Sequence, residues 1–423
     1  MVSMAPAFLG LYLPQNEVYT AIIVRSHKNM EAVFILNSSK KHRWLYLIGF
    51  PIGHGAVDWG GGALWLLGPP MAIAMGLTPF QLGILFAARQ IGSGISQLPA
   101  GFIGDHWGKR GTFLLITFWW VSIPQLIASG SSDYWIVVSC LTLASAGAAA
   151  WHPVAMGVMT QWMPERRAFV LGVHLTGGTV AEITAPLLVG ILLAYFTWSE
   201  ALVINTIPTI ILGLIFIRLA PMVISPSQTF RGRSDISTLV RLVLKPGALA
   251  VLLAITLHNM ALVAFMSMAP LYFQDVQGLS SSMTGLGFSL FLIGGGVAFP
   301  FIGHLSDQIG RKGLTVGGLI GGGLLTWVIT LVSGEAMIFF LLVITGLSML
   351  GIRSVIMAMA LERIGHREST VLGLISAVGE GVAALGAVLA GLVGDIDLAY
   401  ALILAAILSV LAGLAVVPVR SGP

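Results

Sequence analysis

Nine polar or ionisable residues inside the long apolar runs of this chain are candidates for a functional site. His54 and Asp58 stand four residues apart, so in a helix they share one face. The others are Arg89, His152, Glu182, His258, Asn259, Arg353 and Glu380. Carboxyl and imidazole groups bind and release protons, and guanidinium groups bind anions through paired hydrogen bonds. These residue types predict a proton or substrate site.

The fixed charges among these residues do not balance. Asp58, Glu182 and Glu380 are acids, whereas Arg89 and Arg353 are the only fixed cations. One carboxyl therefore lacks a fixed partner, and a buried unpaired carboxyl tends to hold a proton. We favour Asp58 for this role, followed by Glu182. The alternatives are that Asp58 forms a structural ion pair with Arg89, and that the histidines share the proton.

Composition places these residues in a membrane. The chain of 423 residues is 57% hydrophobic and 9% charged, with a mean hydropathy of +0.94. Soluble domains carry about 25% charged residues. An ion at the bilayer centre costs about 2.5–3.5 kcal/mol on insertion scales, so each buried charge must face a cavity or a partner. The chain is predicted to be an all-α polytopic membrane protein.

Apolar periodicity predicts twelve spans in two groups of six. They are approximately 44–67, 79–104, 111–130, 135–161, 168–195 and 199–220, then 247–273, 283–305, 314–334, 336–361, 369–393 and 397–418. Residues 1–43 and 419–423 are predicted tails, and 221–246 a polar linker between bundles 44–220 and 247–418. Translation could start at Met1 or Met30.

Lysine and arginine set the predicted orientation. They cluster before the first span, in the even-to-odd loops and in the last tail. The opposite loops carry only acids: Asp133, Glu200, Asp275, Glu335, Asp395 and Asp397. By the positive-inside rule both termini are cytoplasmic, in a cell (inner) membrane. This asymmetry also accounts for the isoelectric point of about 9.3 without nucleic acid.

One polar hairpin occurs twice between spans. The first copy carries Gly101, Asp105, Gly108, Lys109 and Arg110 after the second span. The second copy carries Gly303, Asp307, Gly310, Arg311 and Lys312 after the eighth span. A repeat of this kind is typical of a duplicated transporter.

These hairpins resemble the loop signature of the major facilitator superfamily, which is Gly-x-x-x-Asp-(Arg/Lys)-x-Gly-Arg-(Arg/Lys). His106 and Gln308 depart from the basic position, and Lys109 replaces arginine. The resemblance covers Trp44 to Pro418. It implies two rocking six-helix bundles with cytoplasmic gating hairpins, in which Asp105 meets a helix N-terminus or a basic partner in the opposite bundle. It also implies that spans one, four, seven and ten line a central cavity; these spans carry Asp58, His152, His258 and Arg353.

Two shorter motifs are similar to the fosmidomycin-resistance branch of drug exporters: His54-Gly-Ala-Val-Asp58 and Trp151-His152-Pro153. The exporter motif of the fifth span is degraded, because it keeps Pro186 and Gly190 but has alanine or valine at its other small positions. It therefore supports antiport only weakly.

We expect a proton-coupled transporter that exports a small organic compound, such as a drug or an anionic metabolite. Alternatives are a proton symporter for uptake and a non-transporting membrane sensor. We expect a monomer in the lipid bilayer and no nucleic-acid partner. Cys140 is the single cysteine, and Gly317 to Gly323 lack the Lys-Ser/Thr of a phosphate loop. No enzymatic motif, metal site or cofactor is therefore predicted. For His174, near the cytoplasmic end of the fifth span, we expect a packing role.

Overall fold

The computed structural model describes residues 19–25, 30–36, 42, 44–163, 166–223, 246–364 and 368–419. Most of the predicted N-terminal tail and nearly all of the linker fall outside this part of the chain. The side chains of Asp105 and Glu380 also lie outside the described set. Two short antiparallel strands, β1 (Tyr19–Arg25) and β2 (Met30–Leu36), precede the helices. This hairpin was not predicted from the sequence.

Thirteen α-helices make up the rest of the described chain. In the first group they are α1 (Phe50–Met75), α2 (Pro79–His106), α3 (Arg110–Ser129), α4 (Tyr134–Trp162), α5 (Arg167–Leu192) and α6 (Trp198–Leu219). In the second group they are α7 (Pro246–Asp275), α8 (Ser281–Ile309), α9 (Arg311–Ile329), α10 (Glu335–Met349), α11 (Arg353–Ile364), α12 (Glu368–Gly394) and α13 (Leu398–Val416). A π-helical turn, Leu45–Gly49, leads into α1.

Nine helical segments within the described residues are long and apolar enough to cross a membrane. Helices are expected there because a bilayer offers no water to pair backbone N–H and C=O groups, so each span must satisfy them internally. The chain is therefore a multi-pass helical membrane protein, as the composition predicts.

One predicted boundary was wrong, and one predicted span contains a break in its helix. The first span was predicted to end at residue 67, before Gly68, Pro69 and Pro70, yet α1 continues to Met75. Prolines remove backbone hydrogen bonds, but membrane helices tolerate them where neighbouring helices and local adjustments compensate. The predicted span 336–361 is two helices, α10 and α11. Gly351 lies at the break, where an added Cβ would come within 2.6 Å of Ile302 and 2.8 Å of Ala298 on α8.

Side-chain caps fix where several helices begin. Thr78 and Gln81 form a reciprocal capping box at α2, with Pro79 in the first turn. Thr197 and Glu200 form the same arrangement at α6. The two hairpins turn at Gly108 (φ +65°) and Gly310 (φ +94°), a backbone region that favours glycine. The second glycine of each repeated motif therefore has a conformational reason.

The first six helices and the last seven, called here the two helix groups, contact each other most extensively through α2 with α12 and α5 with α8. At the first, an added Cβ on Gly83 would lie 2.5 Å from the carbonyl oxygen of Ala387. At the second, Ser282 Oγ donates to the Gly190 carbonyl (3.0 Å). Both close approaches lie toward the membrane face opposite the hairpins. The two groups are therefore closed at that end, and a polar cavity lies between them.

Candidate functional site

The cavity between the two helix groups has a volume of about 300 Å³. Its wall carries most of the residues that the sequence singles out: Asp58, Arg89, His152, Glu182, Asn259 and Arg353. A polar, mainly pre-formed cavity of this size is the usual setting of a small-molecule site. His54 lies directly behind Asp58.

Asp58 is held by two histidines from different helices. Its Oδ2 lies 2.9 Å from His54 Nε2 and its Oδ1 lies 3.3 Å from His152 Nε2. The Asp58 side chain is 16% exposed and that of His152 is 26% exposed, so both face the cavity. His54 is 3% exposed. The i, i+4 spacing of His54 and Asp58 places them on one face of α1, as predicted. The alternative Asp58–Arg89 ion pair does not form.

The contact between His54 and Asp58 must contain a proton. His54 Nδ1 lies 2.8 Å from the His174 backbone carbonyl, which can only accept, so Nδ1 carries a hydrogen and donates it. The Nε2 atom of a neutral His54 would then present a lone pair to Asp58. Two acceptors do not form a bond at 2.9 Å, so either the imidazole is protonated or the carboxyl donates. In this arrangement the pair therefore shares one proton.

His174 supports this pair through its backbone and its ring. The His174 ring stacks on His54, with centroids 4.3 Å apart and planes at 17°. α1 and α5 cross closely at Gly55, where the absence of a side chain permits the approach. A Cβ added to Gly55 would lie only 2.9 Å from the Gly177 carbonyl oxygen of α5. His174 was predicted to have a packing role, and the part played by its backbone carbonyl was not predicted. The adjacent glycines Gly177 and Gly178 were the feature of the sequence that could have indicated a close helix contact near His174.

The three histidines could also suggest a metal centre. Ligand atoms of His54, His152 and His174 lie within 4.8 Å of one another. Both nitrogens of His54 are already engaged, however, and its ring is nearly parallel to that of His174. The lone pairs of stacked rings do not converge on one ion. The arrangement therefore suits a hydrogen-bonded proton site better than metal ligation.

Arg89 is a buried cation without a carboxylate partner among the described residues. It is 5% exposed, its Nη1 has no hydrogen-bond partner, and its Nη2 makes only a long contact of 3.4 Å to the Gly61 carbonyl. Its guanidinium carbon lies 5.3 Å from the Trp65 ring centroid and 5.7 Å from that of Phe86. These rings hold the guanidinium in place through cation–π contacts.

The second helix group contributes Asn259 of α7 and Arg353 at the start of α11. His258 is buried, and neither of its ring nitrogens has a partner among the described residues. It is not part of the cavity wall. Glu182 of α5 lines the cavity next to Gly62, whose added Cβ would lie 3.3 Å from the Glu182 backbone.

The two hairpins use their basic residues differently. Arg110 is 2% exposed and donates to the Gly104 carbonyl (2.8 Å) and to Gln161 (2.5 Å), which ties α3 to α4. Arg311 is partly exposed and bridges Asp307 (2.9 Å) and Glu362 (3.0 Å). Each of these contacts joins residues of the same helix group, the first group for Arg110 and the second for Arg311. None of them joins the two groups at the hairpin end, which fits a state that is closed at the opposite end.

A helical membrane protein with a polar cavity between two packed helix groups has the architecture of a secondary transporter. The sequence profile of the Major Facilitator Superfamily matches residues 52–287 and 253–423. The chain belongs to this superfamily and is a transporter of small molecules, not an enzyme.

Individual relatives are distant. A putative metabolite transport protein of Haemophilus influenzae is 24% identical over 287 residues, 65% of this chain and 70% of that protein. A probable nitrate/nitrite antiporter of Thermus thermophilus is 25% identical over 272 residues, 59% of each chain. The crystal structure of the nucleoside transporter NupG superposes with a TM-score of 0.73 at 15% identity, covering 91% of this chain and 99% of that one. The structural match establishes the fold.

Proposed function

We propose that this protein is a proton-coupled secondary active transporter that exports a small organic compound, a drug or an anionic metabolite. It works by alternating access, with twelve spans in two pseudo-symmetric six-helix bundles. It acts as a monomer in the inner membrane with both termini cytoplasmic. With the hairpins on the cytoplasmic side, the closed end faces outward and the cavity loads from the cytoplasm.

The observation that carries the proposal is the arrangement of His54 between Asp58 and the His174 carbonyl, which requires a proton between His54 and Asp58. When the proton leaves, Asp58 faces the Nε2 lone pair of His54 at a separation that no longer bonds, so the contact must open. Gain and loss of the proton thus change packing where α1 meets α5. A transporter needs this property, because a bound species shifts a conformational equilibrium only through different free energies in the two states.

Proton and substrate share one cavity in this proposal. Asp58 and His152 face the same space as Arg89, Glu182 and Arg353. A substrate that hydrogen-bonds Asp58 competes with the histidines for the carboxylate. Proton binding and substrate binding then oppose each other, which is the requirement for exchange. Kinship with the fosmidomycin-resistance exporters is part of this proposal and rests on the two short motifs around Asp58 and His152.

One observation favours the second candidate, proton symport for uptake. With its proton, the His54–Asp58 pair has no net charge, so among the described side chains that line the cavity Arg89 and Arg353 outweigh Glu182 by one positive charge. An anionic substrate then binds best when the proton is present, and proton and anion travel together. The probable nitrate/nitrite antiporter among the relatives is named for anions, which supports including anions among the substrates tested.

A growth screen separates the two directions. Cells that express the protein are exposed to a panel of inhibitory compounds, with an empty-vector strain alongside. Export predicts protection against at least one compound, whereas uptake predicts sensitisation. Absence of any effect across a broad panel would favour a non-transporting sensor and contradict the proposal.

Proton coupling is tested on the compound that the screen identifies. Purified protein is reconstituted in proteoliposomes, and flux is measured with and without an imposed pH gradient. Asp58→Asn should abolish gradient-driven flux while the protein still inserts. Asp397→Asn is the matched control, because Asp397 caps α13 by accepting from the Ala399 N–H (2.9 Å) and is remote from the cavity. Unchanged gradient-driven flux in Asp58→Asn would remove Asp58 from the mechanism.

A further inference from the structure

We propose that Arg89 is the anion-recognition residue of the cavity, and that the substrate carries one compact anionic group, a carboxylate or a sulfonate, bound by the Arg89 guanidinium. The inference rests on the proposed function only in taking the cavity as the substrate site. It does not depend on proton coupling or on the direction of transport.

The first argument is the cost of Arg89 as it stands. A buried cation without a paired anion pays a desolvation penalty, and the ring contacts of Trp65 and Phe86 offset only part of it. Within the described structure the Arg89 guanidinium makes one hydrogen bond, the long one from Nη2 to the Gly61 carbonyl. Its Nη1 has no hydrogen-bond partner there. A bound anion would accept hydrogen bonds from the unpaired N–H groups of Arg89.

The acids nearby do not take that place. Asp58 uses both of its oxygens on His54 and His152. Glu182 lines the same cavity, yet it forms no ion pair with Arg89 within the described residues. The Arg89 guanidinium is therefore available to an anionic ligand. The Asp58–Arg89 ion pair, which was one alternative from the sequence, does not account for the presence of this arginine.

The second argument is that the Arg89 guanidinium is already positioned. Trp65 and Phe86 lie against it at 5.3 and 5.7 Å. Rings on a planar cation restrict its orientation, so little side-chain freedom remains to be lost when a ligand binds. A fixed fork of N–H donors matches the two oxygens of a carboxylate or sulfonate, a geometry that lysine does not offer.

The third argument comes from the opposite wall. Arg353 and Asn259 belong to the second helix group and line the same cavity as Arg89. A substrate whose anionic group is bound by Arg89 therefore lies in a cavity whose wall also carries a second cation and an amide from the second helix group. The cavity of about 300 Å³ is at the small end of ligand sites, which favours a compact compound.

The binding test needs no gradient and no known substrate. Detergent-purified protein is titrated with sodium butyrate, benzoate and ethanesulfonate, and its melting temperature is recorded. Butyramide and benzamide, at matched ionic strength, are the uncharged counterparts. A ligand that binds the folded state raises the melting temperature with concentration. We expect stabilisation by at least one of the three anions and none by its uncharged counterpart.

Three variants assign the effect to Arg89. Arg89→Gln should abolish anion-dependent stabilisation, and Arg89→Lys should weaken apparent affinity by about tenfold, because it keeps the charge and loses the fork. Arg218→Gln, which removes an exposed cation at the end of α6, should bind anions as the parent does. If Arg89→Gln does not fold, the affinity of Arg89→Lys and the comparison of anion with amide in the parent protein still test whether Arg89 binds the anion.

Several results would overturn the inference: equal effects of anion and amide, full anion stabilisation in Arg89→Gln, or no stabilisation by any of the three anions. A lipid headgroup has the same chemistry, so the titration is repeated in phosphatidylcholine and in phosphatidylglycerol nanodiscs. Anion binding that is retained in both supports a free small anion. Loss only in phosphatidylglycerol would mean that a lipid phosphate occupies Arg89, and would contradict the assignment. Failure of the proton experiments alone leaves these results unaffected.

Discussion

Asp395, at the end of α12, accepts a hydrogen bond from the backbone N–H of Phe80 at 2.7 Å, across the contact between the two helix groups. Phe80 lies in the first turn of α2, where N–H groups have no partner within the helix and the helix dipole favours an anion. A carboxylate of the second helix group therefore caps a helix of the first. This contact exists only while the two groups are closed at the end opposite the hairpins.

Removal of the Asp395 carboxylate should favour opening at this end. Asp395 is exposed, so its charge at the helix terminus contributes about 0.3–1 kcal/mol, which corresponds to up to about a fivefold change in the ratio of closed to open states. Spin labels placed on α2 and α12 near this end would report the change as a larger population of long distances in Asp395→Ala.

Asp397→Ala is the control for this prediction. Asp397 caps α13 within its own helix group, so its loss should lower stability slightly without changing the distance distribution. An equal shift in both variants would mean that Asp395 acts on local stability and not on the contact between groups.

The equivalent hairpins should respond differently to loss of a basic residue. Arg110→Gln removes two charged hydrogen bonds at a buried site, each worth about 1.5–3 kcal/mol. Arg311→Gln removes partly exposed ion pairs, worth about 0–1 kcal/mol each. Thermal unfolding in detergent should show a large loss of stability for Arg110→Gln and a small one for Arg311→Gln. Similar losses would indicate that burial of Arg110 is not what stabilises the first hairpin.

The sequence predicted the helices well because the membrane leaves few options. Backbone groups must pair within each span, so apolar length alone indicates where helices lie. The errors came from local chemistry that a bilayer overrides or modifies. Pro69 and Pro70 usually end a helix, yet α1 continues past them, and the close approach of Gly351 to α8 coincides with a break inside one apolar run.

The site was predictable as far as side chains signal it. His54 and Asp58 share a helix face by spacing alone, and His152 falls on another cavity-lining helix. The partner of Asp58 was not predictable, because the choice between His152 and Arg89 depends on how helices rotate against each other. The His174 carbonyl was missed because a backbone acceptor has no residue type that identifies it.

The ring of His174 should be replaceable, whereas that of His54 should not. The His174 contact to His54 Nδ1 comes from the backbone carbonyl, and neither ring nitrogen of His174 has a partner in the described structure. His174→Phe keeps a ring to stack on His54 and removes two unsatisfied buried polar atoms, so stability should be unchanged or higher. Gradient-driven flux should survive in His174→Phe and be lost in His54→Phe. Loss in both would assign a titrating role to His174 itself.

Gly178 of α5 has no side chain, and the His54–Asp58 pair occupies the space that a side chain there would fill. A Cβ at this position would lie 2.6 Å from His54 Nε2 and 3.0 Å from Asp58 Oδ2, so Gly178→Ala must push the pair apart. Overpacking of this kind costs about 1–3 kcal/mol. We expect Gly178→Ala to lose gradient-driven flux while it retains the anion-dependent rise in melting temperature, because Arg89 lies on a different helix. Gly172→Ala controls for adding a methyl group to the same helix, since a Cβ there meets nothing within 4 Å. Normal gradient-driven flux in Gly178→Ala would show that coupling does not require the close contact between His54 and Asp58.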